Sequence, residues 1–114
     1  MKRIASHYLI LSPDNLYKKQ VIEIDQQRLV RFFTLEEEIE SVIWLSGVLF
    51  LSKKEINLSE IRKELKNSIG EKLLDFISEY STNTKLGDPV FVYLIGSVDL
   101  FNLTIVNETY IEKI

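Results

Sequence analysis

The sequence predicts a mostly β domain, α+β by content, in which strands from both termini build a small β-sandwich or a partly closed barrel. Three observations predict it. Strand-like apolar stretches fill residues 1–51 and 89–114. A helical period, with apolar residues every four positions, occupies the insert at 58–80. Neither group of strands alone has enough apolar area for a stable core, so both must share one sheet system in a single domain, 1–114.

The first half of the chain reads as short strands separated by turn residues. Residues 3–11 predict a strand that ends at the turn sequence Ser12-Pro13-Asp14-Asn15, and residues 18–24 and 28–33 predict a hairpin. Thr34 followed by Glu37 fits a capping box, so a helical turn is expected at 35–40.

Apolar residues at 42–45 and 48–51 flank Ser46-Gly47. They predict two short strands or one strand bent at the glycine. Neither run is long enough to span a bilayer.

The helical segment has an apolar stripe with a four-residue spacing. Gly70 interrupts it, so either one kinked helix or two helices are expected, with Ser59 as the N-cap. The stripe comprises Ile61, Leu65, Ile69, Leu73 and Ile77.

The last part of the chain predicts three strands after a loop at 81–89. Residues 90–95 are apolar at every position, which is typical of a central strand covered on both faces. Two shorter strands are expected at 103–106 and 109–114.

Composition argues against several function classes. The chain has 114 residues, 46% hydrophobic and 27% charged, with a net charge of −3, as expected of an ordinary soluble domain and not of a nucleic-acid binder. There is no cysteine, which is compatible with a reducing, cytoplasmic location. The basic start of the chain is interpreted as part of a strand and not as a signal peptide. We therefore expect neither nucleic acid nor a membrane as a partner.

The candidate catalytic residues do not form a recognisable set. His7 is the one histidine, is expected in the middle of a strand, and has no second imidazole to share a metal with, so a structural role is favoured. The acidic run Glu36, Glu37, Glu38 and Glu40 lacks the spacing of a calcium loop.

Other residue types favour structural roles as well. Glu71, Asp75 and Glu79 lie one helical turn apart and are expected on a solvent face. The four glycines form no phosphate-binding loop, and the strand aromatics are expected in the core. The aromatics concerned are Phe32, Phe33, Trp44, Phe91 and Tyr93. We therefore predict no catalytic, metal or cofactor-binding residues, and no enzyme.

Three stretches together resemble the composite β-sandwich domain of the amidohydrolase (metal-dependent hydrolase) superfamily. Residues 1–32 resemble its opening strands, with Val21-Ile22-Glu23-Ile24-Asp25 matching a V-x-I/V-D element, and 44–49 resemble the stretch that leads into its catalytic barrel. Residues 92–100, with Leu103-Thr104 and Tyr110-Ile111, resemble its closing strands.

The resemblance implies a sandwich without the catalytic barrel. Where the family continues with Pro-Gly and a metal-binding His-x-His pair, this chain reads Phe50-Leu51-Ser52-Lys53-Lys54-Glu55. A (β/α)₈ barrel takes about 250 residues, and the stretch between Leu51 and Val90 is far shorter. None of the family's metal ligands has a counterpart here.

Two functions remain as hypotheses. The first is a non-catalytic module that associates with itself or with another protein, in which the helical stripe, alone or with a second subunit pairing through an edge strand, covers the surface that the barrel would cover. The second is a small hydrolase-related or ligand-binding protein with a site formed between subunits, to which His7 or the 36–40 run contributes.

Overall fold

Residues 1–36 and 41–114 are described by a computed structural model, in which short strands and two helices alternate with turns. The strands are β1 (Lys2–Ala5), β2 (Tyr8–Ser12), β3 (Asn15–Lys18), β4 (Gln20–Asp25), β5 (Arg28–Thr34), β6 (Val42–Trp44), β7 (Val48–Ser52), β8 (Phe91–Gly96) and β9 (Tyr110–Lys113), and the helices are α1 (Leu58–Lys66) and α2 (Leu73–Ile77).

The strands form two sheets that pack face to face. Sheet A has the order β5-β4-β1-β6, and sheet B has the order β3-β2-β7-β8-β9. The mostly β prediction is confirmed, and of its two forms the packed-sheet sandwich is present, since the described strands form no closed barrel. Strands from both ends of the chain share sheet B, because β8 pairs with β7 and β9 pairs with β8.

Three chain segments pass from one sheet to the other along a single line. β1 continues into β2 through Ser6-His7, β4 follows β3 across Lys19, and β6 continues into β7 through residues 45–47. The three segments are neighbours in both sheets, in the orders β4-β1-β6 and β3-β2-β7. We call these connecting residues the bend line. The predicted single strand at 3–11 was therefore wrong, because it changes sheets at this line, and of the strand predicted at 18–24 only Lys18 lies on the other side of the line, in β3.

The bend line has its own hydrogen bonds and backbone conformations. The Lys19 amide donates to the His7 carbonyl at 2.8 Å, and the Leu45 amide donates to the Ala5 carbonyl at 2.9 Å. Lys19 has φ +54° and Gly47 has φ +132°, so two of the three segments turn in the left-handed half of backbone space. Residues 42–51 are accordingly two strands in different sheets.

The first hydrophobic core lies between the sheets. Inward side chains alternate along each strand, as the two-residue period of a strand requires. Its buried members are Ile4, Leu9, Leu11, Ile22, Leu29, Leu49, Leu51, Val90, Val92 and Leu94.

A second core lies on the opposite face of sheet B, where the helices cover it. Its buried members are Ile10, Val48, Phe50, Ile61, Leu65, Leu73, Phe76, Ile77, Tyr93, Ile95, Ile105 and Ile111. Sheet B is thus buried on both faces and forms the middle of three layers. The prediction of a central strand covered on both faces is confirmed for β8, which contributes Tyr93 to one core and Leu94 to the other.

The helical segment forms two helices, which resolves the alternative left open by Gly70. α1 ends at Lys66, and Gly70 has φ +93° in the connection to α2. The expected N-cap at Ser59 was wrong: Asn57 caps α1, and its side chain accepts the Glu60 amide at 3.2 Å. Because the helix is interrupted, Ile69 leaves the predicted stripe and is 51% exposed.

The expected strand at 103–106 was also wrong. Thr104 forms only isolated bridges, to Lys72 and to Asp99, and the Ile105 amide donates to the Glu71 carbonyl at 2.9 Å. This stretch therefore ties the helical layer to the loop after β8. The hairpin of β4 and β5 is confirmed, whereas the helical turn expected at 35–40 falls largely on residues outside the described ranges.

Candidate functional site

The bend line opens on one side into a cleft of about 430 Å³. Apolar and aromatic groups make up most of its walls, and two lysines also line it. The lining residues, which define what we call the bend cleft, are His7, Tyr8, Lys18, Lys19, Trp44 and Leu100. Their positions result from the fold, because neighbouring bent segments bring residues distant in sequence to one corner.

His7 links two of the segments that meet at the bend line. It lies between β1 and β2 and not in the middle of a strand, which corrects the expected position. Its Nδ1 accepts the Gly47 amide at 3.2 Å, and its ring meets the Trp44 ring edge-on with 5.0 Å between centroids. With Nδ1 accepting, the proton of the neutral imidazole is on Nε2. These contacts support the structural role favoured by the sequence.

The far wall of the bend cleft comes from the loop between β8 and β9. The Tyr8 hydroxyl donates to the Leu100 carbonyl at 3.3 Å, which holds the loop against β2. The next residue, Phe101, points into solvent and is 94% exposed. Phe101 is the most exposed of the large hydrophobic side chains in the described part of the chain.

The turn that carries Phe101 is well ordered by hydrogen bonds. The Asp99 carboxylate accepts the amides of Phe101 and Asn102 at 3.0 and 3.1 Å, and the Asn102 side chain at 2.9 Å. The hydrogen bonds from Asn102 hold the pKa of Asp99 below its ordinary value. Lys72 Nζ donates to the Asn102 carbonyl at 3.2 Å and so fixes the turn to the helical layer.

Strand β6 borders the bend cleft and forms one edge of sheet A. Its Ile43 is 53% exposed and its Trp44 is 45% exposed, so the expectation that Trp44 lies in the core was wrong. In the described part of the chain, no strand pairs with the outer side of β6. Ile43 and Trp44 are exposed because β6 lies at the edge of sheet A. The same residues in the middle of a sheet would be covered.

The other three edge strands carry protection that the described residues do not give β6. Residues 87–90 hydrogen-bond to the start of β5, and the side chain of Arg62 donates to the Ile111 carbonyl of β9. β3 carries Lys18 and pairs with β2 through an irregular register. Charges, bulges and covering segments are the usual means of keeping edge strands unpaired. Within residues 1–36 and 41–114, β6 has only its short length as protection, and it consists of Val42, Ile43 and Trp44.

The acidic candidates fall mostly on residues outside the described ranges. Glu36 is exposed, and Glu37, Glu38 and Glu40 lie outside the described ranges. Within 1–36 and 41–114, no group of three or more potential ligands is arranged to hold a metal ion.

A second groove, of about 440 Å³, runs along the helical layer and is lined by Glu64, Glu71, Asp75 and Glu79 among others. Glu71 and Glu79 are exposed, as predicted of a solvent face. Burial, and then the negative charges of Glu64 and its neighbours, raise the pKa of Tyr80 close by. Among the described residues, these carboxylates form no ion pair.

One charged cluster was not foreseen from the sequence. Glu23 lies on the outer face of sheet A with its side chain 2% exposed, and it pairs with Arg31 and, at 3.1 Å, with Arg3. The three residues are cross-strand neighbours on β1, β4 and β5. The hydrogen bond from Arg31 chiefly lowers the pKa of Glu23, against the opposing effect of burial, and the hydrogen bond from Arg3 lowers it further. The two guanidinium groups neutralise the Glu23 carboxylate, so we infer that this cluster stabilises the fold.

Comparison with protein-family models, with curated proteins and with solved structures gives no match to this chain. The resemblance to the amidohydrolase composite domain therefore stays a hypothesis. Both helices in the described ranges are too short to cross a membrane.

Proposed function

We propose that this protein is a non-catalytic module that associates with itself through β6. The observation that carries the proposal is the contrast among the four edge strands, of which only β6 is apolar and uncovered in the described part of the chain. An uncovered apolar edge is a ready template for pairing with another strand.

The geometry of pairing is set by symmetry. Two copies related by a twofold axis near Ile43 bring their β6 strands together antiparallel, and the two four-stranded A sheets then become one continuous sheet. The backbone amides and carbonyls of Val42 to Trp44 gain hydrogen-bond partners in the second copy, and the side chains of Ile43 and Trp44 become buried. Burial of apolar area supplies the free energy, and the hydrogen bonds supply the register.

The absence of catalysis is part of the same proposal. Its support is that the only imidazole, His7, is engaged by the Gly47 amide and by Trp44. The helices support the idea that an exposed sheet face has been covered from within the chain, since Ile61, Leu65 and Ile77 lie buried on sheet B. A cytoplasmic location remains an expectation from composition, and cell fractionation tests it.

Sedimentation velocity over a wide concentration range tests the association. The wild-type chain is expected to dimerise, and Ile43→Lys is expected to be monomeric, because a lysine at the edge leaves a charge without partners in the interface. Ile69→Lys is the matched control: Ile69 is 51% exposed on the connection between α1 and α2 and should leave dimerisation unchanged. A wild-type chain that stays monomeric at high micromolar concentration overturns the proposal.

A second candidate function is the binding of a small aromatic carboxylate in the bend cleft, which Lys18 and Lys19 also line. The observation in its favour is that a volume of about 430 Å³ with aromatic walls falls in the usual range for ligand sites. Trp44 fluorescence is the direct readout, since Trp44 is the only tryptophan and lies at the cleft. A saturable change on titration with an aromatic carboxylate, absent in Tyr8→Ala, would support this candidate.

A further inference from the structure

We infer that the bend cleft of one copy receives Phe101 of a second copy. The inference rests on the proposed self-association and adds to it the residue that enters and the surface that receives it. The two features are adjacent in the chain, because Leu100 lines the cleft and Phe101 is the next residue.

Phe101 is presented in a fixed position. Three hydrogen bonds to the Asp99 carboxylate and one from Lys72 to the Asn102 carbonyl order the turn at whose tip it lies. An aromatic side chain that is 94% exposed gains nothing within its own subunit. Because the turn is already ordered, little further conformational entropy is lost when the ring is buried by a partner.

The bend cleft has walls suited to a phenyl ring. Tyr8, Trp44 and His7 supply aromatic surfaces, and Leu100 supplies an aliphatic one. Edge-on and offset contacts between such rings add to the area that they bury. In a twofold dimer, one copy offers its ring to the other's cleft and receives the other's ring in its own, so a single self-complementary patch satisfies both copies.

Charges on the two features are complementary. Lys18 and Lys19 lie at the cleft, and neither forms an ion pair with a described residue. Asp99 lies two positions before Phe101, at the base of the turn. Entry of Phe101 into the partner's cleft therefore brings the Asp99 carboxylate toward the lysines of that cleft. The attraction selects this orientation over others.

The buried area favours an interface in which both contacts form together. Two phenyl rings bury about 150–250 Å² each, and the cleft walls bury a similar area, which remains below the roughly 1,200–2,000 Å² of a stable interface. Pairing of the two β6 strands adds further area next to the cleft, since Trp44 belongs to both β6 and the cleft. The twofold axis then lies between the two β6 strands.

Replacement of Phe101 tests the inference in the full chain. Phe101→Ser is expected to raise the dimer dissociation constant at least about 30-fold, as for a central aromatic at an interface. Leu86→Ser is the matched control, because Leu86 is an exposed apolar residue, at 58%, on the loop before β8, away from the cleft. Both variants should keep the wild-type circular dichroism, and at concentrations low enough for the wild type to be monomeric they should keep its melting temperature, since both residues lie in solvent in a single copy.

Trp44 fluorescence gives an independent readout. On dimerisation of the wild-type chain, its emission should shift to shorter wavelength, and in Phe101→Ser the shift should be lost at equal concentration. Lys18→Glu combined with Lys19→Glu should weaken the dimer. Added salt should weaken the wild-type dimer, where it screens an attraction, and strengthen the dimer of this variant, where it screens a repulsion from Asp99.

The outcomes separate the inference from the proposed function. If the wild type dimerises, Ile43→Lys is monomeric and Phe101→Ser dimerises with unchanged affinity, the inference is overturned and the edge-strand proposal stands. If Phe101→Ser is monomeric and Ile43→Lys still dimerises, the inference stands and edge pairing is overturned. A monomeric wild type overturns both, and a Trp44 response to an added aromatic carboxylate in that monomer assigns the cleft to a small ligand instead.

Discussion

At the scale of single residues, the corner between the two sheets depends on a few unusual positions. Gly47 has φ +132°, and a Cβ at this position would lie impossibly close to the Ile95 carbonyl oxygen on β8. Its amide also donates to His7. Gly47 therefore combines a backbone conformation that favours glycine, a close approach to β8 and the hydrogen bond that orients the imidazole.

Gly47→Ala is expected to destabilise the protein by about 3 kcal/mol, because backbone strain and the clash with Ile95 add together. Gly87→Ala is the control: Gly87 also has positive φ, at +89°, but a Cβ there would meet nothing within 4 Å. The control should cost about 1 kcal/mol. Urea unfolding measures both, and equal losses would contradict the close approach at Gly47.

Glu23 makes stability depend on pH. Its pKa is lowered in the folded state, chiefly by Arg31, so its contribution is complete above the ordinary carboxyl pKa of about 4.3 and is lost as pH falls through the lower folded value. Glu23→Gln should therefore flatten the acid side of the stability curve. Unfolding midpoints from pH 7 down to pH 2 measure this, with Glu112→Gln on β9 as the control. A Glu23→Gln curve parallel to that of the wild type would contradict the assignment.

At the scale of secondary-structure elements, the neighbours that an element acquires in the fold decide its role more than its own sequence does. β7 and β8 are short apolar strands that become central, whereas β6 is equally apolar and becomes an edge. α1 is amphipathic and attaches by Ile61 and Leu65, and the interrupted second half attaches by Leu73 and Ile77. The helices thus behave as one covering layer in two pieces.

The start of α1 tests the cap assignment. Asn57→Ala should lower stability by about 1 kcal/mol, because the Glu60 amide loses the side-chain oxygen that satisfies it. Ser59→Ala should have a much smaller effect, since Ser59 lies inside the helix. Thermal and urea unfolding of the two variants decide the matter, and a larger loss for Ser59→Ala would restore it as the cap.

At the scale of the whole molecule, sheet B joins the two hydrophobic cores. Leu49 and Phe50 are adjacent in β7, yet one contributes to the core between the sheets and the other to the core beneath the helices. Loss of either core therefore exposes a face of the same sheet. We expect the 114 residues to unfold as one cooperative unit.

Two spectroscopic probes on opposite layers measure this cooperativity. Trp44 fluorescence reports on the corner at sheet A, and far-ultraviolet circular dichroism includes the helices. Their unfolding transitions should coincide in the wild type. Ile61→Ala removes a buried side chain from the helical layer. The free energy of unfolding measured by each probe should therefore fall by the same amount, about 2–5 kcal/mol. Separate transitions would mean that the helical layer unfolds independently.

Periodicity and composition by themselves determined the class of fold and much of the core of this protein. The stripe at Ile61, Leu65, Leu73 and Ile77 and the uniformly apolar run in β8 identify buried faces, because a two-residue or four-residue spacing is a local property of the chain. The same spacing wrongly predicted that Ile69 is buried. α1 ends before this residue, so Ile69 no longer follows the helical period.

Only the tertiary structure decided where strands change sheets and which side chains meet there. His7, Lys19 and Trp44 are ordinary residues in sequence, and they become neighbours because three segments bend along one line. The exposure of Phe101 and of β6 was equally out of reach, since whether an apolar residue is covered depends on distant strands that no local pattern encodes. Burial is a property of the assembled chain, and so is the surface that the function is proposed to use.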